Sequence, residues 1–126
     1  MIRSLLAVVA AALTWVVVAT ALNLVLRFGW QDYAAAEPGM TFTLSMMLAR
    51  LLLGVLASLV AGLVAAVIAK GGKWPVYVVA ILLLAAFIPV HYNLWGRFPA
   101  WYHLFFLASL VVFSYVGGAI RWRYSR

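Results

Sequence analysis

The sequence contains no cysteine, which excludes disulfide bonds, thiolate metal sites and cysteine nucleophiles. It also has only two acidic residues, Asp32 and Glu37, and charged residues make up 9% of its 126 positions. In contrast, 69% of the residues are hydrophobic and the mean hydropathy is +1.15. A soluble domain of this length cannot bury so much apolar surface. The composition therefore predicts an integral membrane protein.

The formal net charge of +7 does not point to nucleic acid. The basic residues lie at the ends of apolar runs, where they contact anionic headgroups and set the orientation of the chain in the membrane. No RNA-binding pattern or basic helix is present. We therefore expect membrane lipids as partners, and no nucleic acid.

Four uncharged windows each approach the roughly 20 residues that cross about 30 Å of hydrocarbon as a helix. Backbone polar groups in lipid must be hydrogen-bonded within their own segment, so these windows should be α-helices. The predicted fold class is an all-α membrane protein, a four-transmembrane-helix bundle forming one domain over residues 1–126. The predicted helices cover about 4–26, 41–69, 74–95 and 100–120, and a non-cytoplasmic interfacial loop covers 27–40.

Two features modify this topology. A small-x-small site at residues 19–21 leaves a cleavable signal peptide as an alternative for the first helix, but the apolar run continues to Leu26 and favours retention. Pro89 falls inside the third predicted helix and removes one backbone donor. We predict that this helix is kinked at Pro89, with irregular backbone over residues 90–93.

The positively charged residues are distributed unequally between the two sides of the membrane. One side holds six basic residues, Arg3, Lys70, Lys73, Arg121, Arg123 and Arg126. The other side holds Arg27 and Arg97, with Arg50 near its boundary, and both acids. The positive-inside rule predicts that the N and C termini are cytoplasmic. The corresponding location is the bacterial inner (plasma) membrane, with the longer loop facing the periplasm.

Small residues recur at a spacing of four on the second helix, and a second group lies on the fourth helix. Such residues allow another helix to approach closely. The predicted helix-packing residues are Gly54, Ser58, Gly62, Ala66, Ser114 and Gly118. The sequence leaves open whether the approaching helix belongs to this chain or to a partner.

Polar side chains gather on the loop side of the predicted bundle. The candidates for binding a ligand or a lipid headgroup are Arg50, His91, Asn93, His103, Asp32 and Glu37. An arginine at this depth either snorkels to the membrane edge or binds an anionic headgroup. Asp32 and Glu37 are also possible ion-pair partners for Arg50.

His91 and His103 lie on neighbouring predicted helices at similar depth. Neutral imidazoles can ligate a metal ion or a haem iron, and Asp32 or Glu37 could supply a third metal ligand. However, no His-x-x-x-His or Glu-x-x-His spacing is present, so the sequence predicts no metal site and no catalytic residue. No cofactor is expected, and haem or metal at these two histidines is a minor alternative.

These features predict a non-enzymatic accessory, assembly or interaction subunit that packs through its small-residue helix faces. Its partner would be another membrane protein or further copies of the same chain. The first alternative is a homo-oligomeric small transporter, channel or lipid-handling protein with a periplasmic-side site at Arg50, His91 and His103. The second alternative is a haem- or metal-binding redox subunit.

Overall fold

The computed structural model describes residues 2–39, 41–70 and 72–124, and all regular structure in these ranges is helical. The helices are α1 (Ile2–Gly29), α2 (Gln31–Ala36), α3 (Leu44–Ile68), α4 (Trp74–Asn93) and α5 (Ala100–Tyr124), with a 3-10 turn at Trp95–Arg97. Four of them, α1, α3, α4 and α5, are long and apolar enough to cross a membrane. The all-α, four-membrane-helix prediction is therefore confirmed.

The helix ends differ from the predicted bounds by a few residues. α1 extends beyond both predicted ends, and α5 continues past residue 120. α3 begins later than predicted, after Thr43, whose hydroxyl accepts a hydrogen bond from the N–H of Met46 at 3.4 Å. This side-chain cap satisfies one of the donors that every helix N-terminus leaves free.

The prediction of irregular backbone after Pro89 was wrong. Residues 90–93 belong to α4, and the N–H of Leu94 still donates to the carbonyl of Val90 at 3.1 Å. Proline removes only its own backbone donor, and opening the following turn would leave further polar groups without partners in lipid. The helix therefore continues past Pro89, and the kink remains a prediction.

α3 is the central helix of the bundle and packs most extensively against α5 and α1. α4 packs mainly against α5 and contacts α1 and α3 less. α3 and α5 run in the same direction, because three contacts spread along both helices share an offset of 52 positions in the sequence. The pairs that show this offset are Arg50–Tyr102, Gly54–Phe106 and Gly62–Ser114.

Close approach of α3 and α5 depends on glycine. A Cβ atom added at Gly62 would overlap the backbone carbonyl of Ser114, and one added at Gly117 would overlap the carbonyl of Leu59. The small residues of α3 between Gly54 and Ala66 are buried within the chain. The chain's own helices therefore cover the small-residue face that the sequence left open to a partner.

Candidate functional site

Arg50 lies in the second turn of α3, and two tyrosine hydroxyls hold its guanidinium. Its Nε donates to the hydroxyl of Tyr102 at 3.2 Å, and a terminal nitrogen donates to the hydroxyl of Tyr33 at 2.7 Å. The ring of Phe42 lies 4.8 Å from the guanidinium carbon, a cation–π distance. Contacts within the protein therefore fix the guanidinium, whereas a snorkelling side chain extends freely towards water.

A chain of hydrogen bonds connects this arginine to the end of α1 and to the loop. The Tyr33 hydroxyl donates to Oδ1 of Asn23 at 2.6 Å, and the side-chain amide of Asn23 donates to Glu37 at 2.9 Å. The other carboxylate oxygen of Glu37 accepts from Nε of Arg27 at 2.6 Å. The Arg27 hydrogen bond lowers the pKa of Glu37, and burial raises the pKa of the Tyr33 phenol. Together these bonds attach the loop and α2 to α1.

A row of stacked aromatic rings crosses the loop end of the bundle. Phe42 stacks on Tyr33 at a centroid distance of 5.2 Å and on Phe98 at 6.0 Å. Phe98 stacks in turn on Tyr102 at 4.7 Å. Tyr33, Phe98 and Tyr102 are buried, so this row shields one side of the Arg50 guanidinium from water. The low local dielectric strengthens any charge interaction that Arg50 makes.

A cavity of about 300 Å³ opens beside Arg50 between the helices. Its lining residues are Trp15, Ala19, Thr20, Asn23, Glu37, Arg50, Leu53, Phe87, Tyr102 and Phe106. Along α1 the lining changes from Asn23 at the loop end to Trp15 near the middle of the helix. The cavity is therefore polar towards the membrane surface and apolar towards the membrane centre.

Trp15 forms part of the apolar end of this cavity. Its ring is 6% exposed and packs on Phe87 and Phe106, at centroid distances of 4.9 and 6.4 Å. Its indole N–H donates to the hydroxyl of Ser58 at 3.1 Å, which satisfies both polar groups inside the bundle. The position of Trp15 thus depends on both packing and an interhelical hydrogen bond.

The charges around the cavity do not cancel. The only ion pair within the described ranges joins Arg27 to Glu37, and the other acid, Asp32, is exposed and does not line the cavity. Arg50 therefore has no carboxylate partner in direct contact. Glu37 also interacts with Arg50 at longer range. When Arg27, which lies outside the cavity lining, is counted with Glu37 and Arg50, the group carries one net positive charge. A cation at membrane depth is costly unless it is paired or hydrogen-bonded.

His91, near the end of α4, and His103, near the start of α5, contact each other directly. His103 is fully buried and His91 is 6% exposed, and their Nδ1 atoms are 2.6 Å apart. Nε2 of His103 lies 3.3 Å from the carbonyl oxygen of Trp95. A carbonyl only accepts, so this nitrogen carries a proton. In the neutral pair, hydrogen-bond logic therefore assigns Nδ1–H of His91 as the donor and Nδ1 of His103 as the acceptor.

In this arrangement the two Nδ1 atoms stand too close together to share one metal ion. Two nitrogens bound to one metal at about 2.0–2.1 Å in tetrahedral geometry stand roughly 3.3 Å apart, farther than the separation of these two Nδ1 atoms. The described ranges include every His, Asp and Glu of the chain, and no three of them converge as a metal site. Glu37, one of the two suggested third ligands, is instead bonded to Arg27 and Asn23.

The structure brings together only part of the predicted ligand set. Arg50 and Glu37 line one cavity, whereas Asp32 and Asn93 are exposed and do not line it. The sequence reasoning missed the central contribution of Tyr33 and Tyr102, because tyrosines near membrane surfaces usually form interfacial belts.

The predicted helix-packing residues are all buried between helices: Gly54, Ser58, Gly62, Ala66, Ser114 and Gly118. Gly118 faces α4, where an added Cβ would come within 2.9 Å of Val76.

No protein-family model, curated protein or solved structure matches the chain. The functional argument therefore depends on the chemistry of the site.

Proposed function

We propose that this protein binds a monoanionic amphiphile, such as a membrane lipid with one negative charge, in the cavity beside Arg50. One observation carries the proposal. A guanidinium with no carboxylate at ion-pair distance among the described residues lines a cavity that is apolar at its deeper end, and Glu37, the carboxylate in the same lining, is bonded to Arg27. The anion supplies the missing negative charge, and its hydrocarbon chain occupies the part next to Trp15 and Phe87.

Arg50 has donors available for such a ligand. A guanidinium has five N–H groups, and the two tyrosine hydroxyls use two of them. The tyrosines hold the group in place, so little side-chain freedom is lost when the anion binds. A volume of about 300 Å³ is small for a ligand site. It suits a headgroup and the first part of a chain, and the rest of the chain lies in the surrounding bilayer.

The accessory-subunit hypothesis has lost its main structural argument. It depended on a small-residue face free to contact another protein, and α5 covers that face at Gly54 and Gly62. Lipid handling, the first alternative from the sequence, is therefore the function that we propose. Four helices enclose no pore of their own, so transport would in addition require a homo-oligomer.

The distribution of basic residues supports cytoplasmic termini in a bacterial inner membrane. In that orientation the cavity lies in the periplasmic half of the bilayer, because Arg50 and Glu37 belong to the end opposite the termini. The ligand then comes from the outer leaflet of that membrane. Labelling of introduced cysteines from either side tests this orientation directly, since the chain has none of its own.

The experiment compares Arg50→Gln with Arg97→Gln, which removes the same charge from an exposed position outside the cavity. Each protein is incubated with vesicles of phosphatidylcholine and phosphatidylglycerol, and the lipids retained after purification are counted by native mass spectrometry. Charged hydrogen bonds contribute about 1.5–3 kcal/mol, so Arg50→Gln should reduce phosphatidylglycerol retention about 10- to 100-fold. Arg97→Gln should retain it. Equal retention by wild type and Arg50→Gln would refute the proposal.

A further inference from the structure

We propose that anion binding beside Arg50 is coupled to the uptake of one proton by the His91–His103 pair. This inference deepens the proposed function and rests on it. It concerns a buried titratable pair that needs no role in holding the anion itself. Its basis is the position of the pair against the cavity wall and the hydrogen-bonding state of its four ring nitrogens.

Only one layer of rings separates the pair from the cavity. The His91 ring packs on Phe106 at a centroid distance of 4.7 Å, on Tyr102 at 6.2 Å and on Phe87 at 6.4 Å. All three of these rings line the cavity, and the Tyr102 hydroxyl is bonded to Arg50. A charge placed on the pair therefore acts on a ligand in the cavity through a dry aromatic layer.

The pair has one vacant position for a proton. Three of its four ring nitrogens are engaged, two in the Nδ1–Nδ1 contact and one with the Trp95 carbonyl. Nε2 of His91 is unprotonated in the neutral pair and has no hydrogen-bond partner in the part of the chain that the structure describes. A proton bound at this nitrogen produces an imidazolium, and the Nδ1–Nδ1 bond then becomes charge-assisted and stronger.

The charged groups around the pair determine the sign of the coupling. The titratable or charged side chains that the surrounding elements supply at this end of the bundle are Arg27, Asp32, Tyr33, Glu37, Arg50, Tyr92, Arg97 and Tyr102. Among them Arg50 is the cation nearest to the pair along the ring contacts, because it is bonded to the Tyr102 hydroxyl and the Tyr102 ring packs on His91. Like charges repel, so the guanidinium opposes a second positive charge on the pair. An anion bound to Arg50 cancels this repulsion, so proton binding becomes more favourable.

Thermodynamic linkage makes the effect reciprocal, because a proton on the pair strengthens anion binding by the same factor. The anion and the proton together enter the site as a neutral unit. Moving a neutral unit into lipid costs far less than moving the anion alone. Uptake of the ligand would then respond to the proton gradient across the membrane.

The test uses isothermal titration calorimetry of purified wild-type protein with short-chain phosphatidylglycerol. Titrations are run between about pH 5.5 and 7.5, the range in which histidine normally changes charge. Each pH is repeated in buffers with different ionisation enthalpies, which reports the protons bound per ligand. The phosphodiester does not titrate in this range, so any proton taken up belongs to the protein. We expect net proton uptake and an affinity about tenfold higher at the acidic end.

Three variants identify the group that binds the proton. His91→Gln and His103→Gln should still bind phosphatidylglycerol but lose both the proton uptake and the pH dependence. Asp32→Asn should keep both, because it removes an exposed carboxylate that does not line the cavity. If the histidine variants do not fold, the buffer series on wild-type protein still decides whether a proton is taken up.

The failures of the two proposals can be distinguished. Wild-type binding with no proton uptake and no pH dependence would overturn the coupling and leave anion binding intact. The coupling is also overturned when both effects persist in the histidine variants or disappear in Asp32→Asn. If wild-type protein binds no phosphatidylglycerol at any pH, both proposals fail together.

Discussion

Replacement of Gly62 by alanine should separate the two most closely packed helices of the bundle. The new Cβ atom would overlap the carbonyl of Ser114, which belongs to the backbone of α5 and cannot rotate away as a side chain does. Forcing extra volume into a packed core costs about 1–3 kcal/mol. We expect about 3 kcal/mol, because moving the helices apart also loosens the neighbouring contact of Gly117 with Leu59.

The assay is reversible unfolding in mixed micelles by titration with dodecyl sulfate, followed by circular dichroism. Gly29→Ala is the matched control, because a Cβ atom at Gly29 meets nothing within 4 Å. It should change the free energy of unfolding by less than about 0.5 kcal/mol. Equal stability of the two variants would refute the packing argument. Loss of stability in the isolated protein would show that Gly62 acts within the chain, without a partner.

Two further predictions concern other parts of the bundle. Trp15→Phe removes the hydrogen bond to Ser58 and should lower the free energy of unfolding by about 1 kcal/mol. Trp101→Phe changes an exposed position and should have no effect, so equal losses would contradict the assigned role of the indole. Because Arg27 lowers the pKa of Glu37, their contact stabilises the loop above the ordinary pKa of Glu37 and is lost as the pH falls through the lowered value. Hydrogen exchange over residues 30–38, corrected for intrinsic rates, should therefore rise in acid, and Arg27→Gln should show the faster exchange already at neutral pH. An exchange rate that stays constant in acid would argue against this anchoring.

Much of the architecture could be predicted from the sequence, because membrane helices depend on local properties. Length and apolarity identify each of the four segments, and their ends were predicted to within a few residues. The spacing of Gly54, Ser58 and Gly62 likewise marks a close-packing face, since that spacing places them on one side of a helix. The prediction for residues 90–93 was wrong because it considered only the backbone donor that proline removes. It did not include the free-energy cost of leaving further backbone groups without hydrogen bonds in lipid.

The candidate site was only partly predictable. Arg50 stood out as a charge inside an apolar segment, but its partners Tyr33 and Tyr102 lie 17 and 52 positions away. Likewise, His91 and His103 were predicted to lie at similar depth, but nothing in their spacing of 12 showed that they share a hydrogen bond.

The physical reason for this division is that a membrane helix is apolar on almost every side. In a soluble protein, polarity distinguishes the inner face of a helix from the outer one, but in lipid that contrast largely disappears. The sequence by itself therefore determined which segments cross the membrane and which end holds the polar residues. The rotation of each helix about its axis was decided only by tertiary packing, where Gly62 lets α3 approach α5 and sets their constant register. That register places Arg50 beside Tyr102.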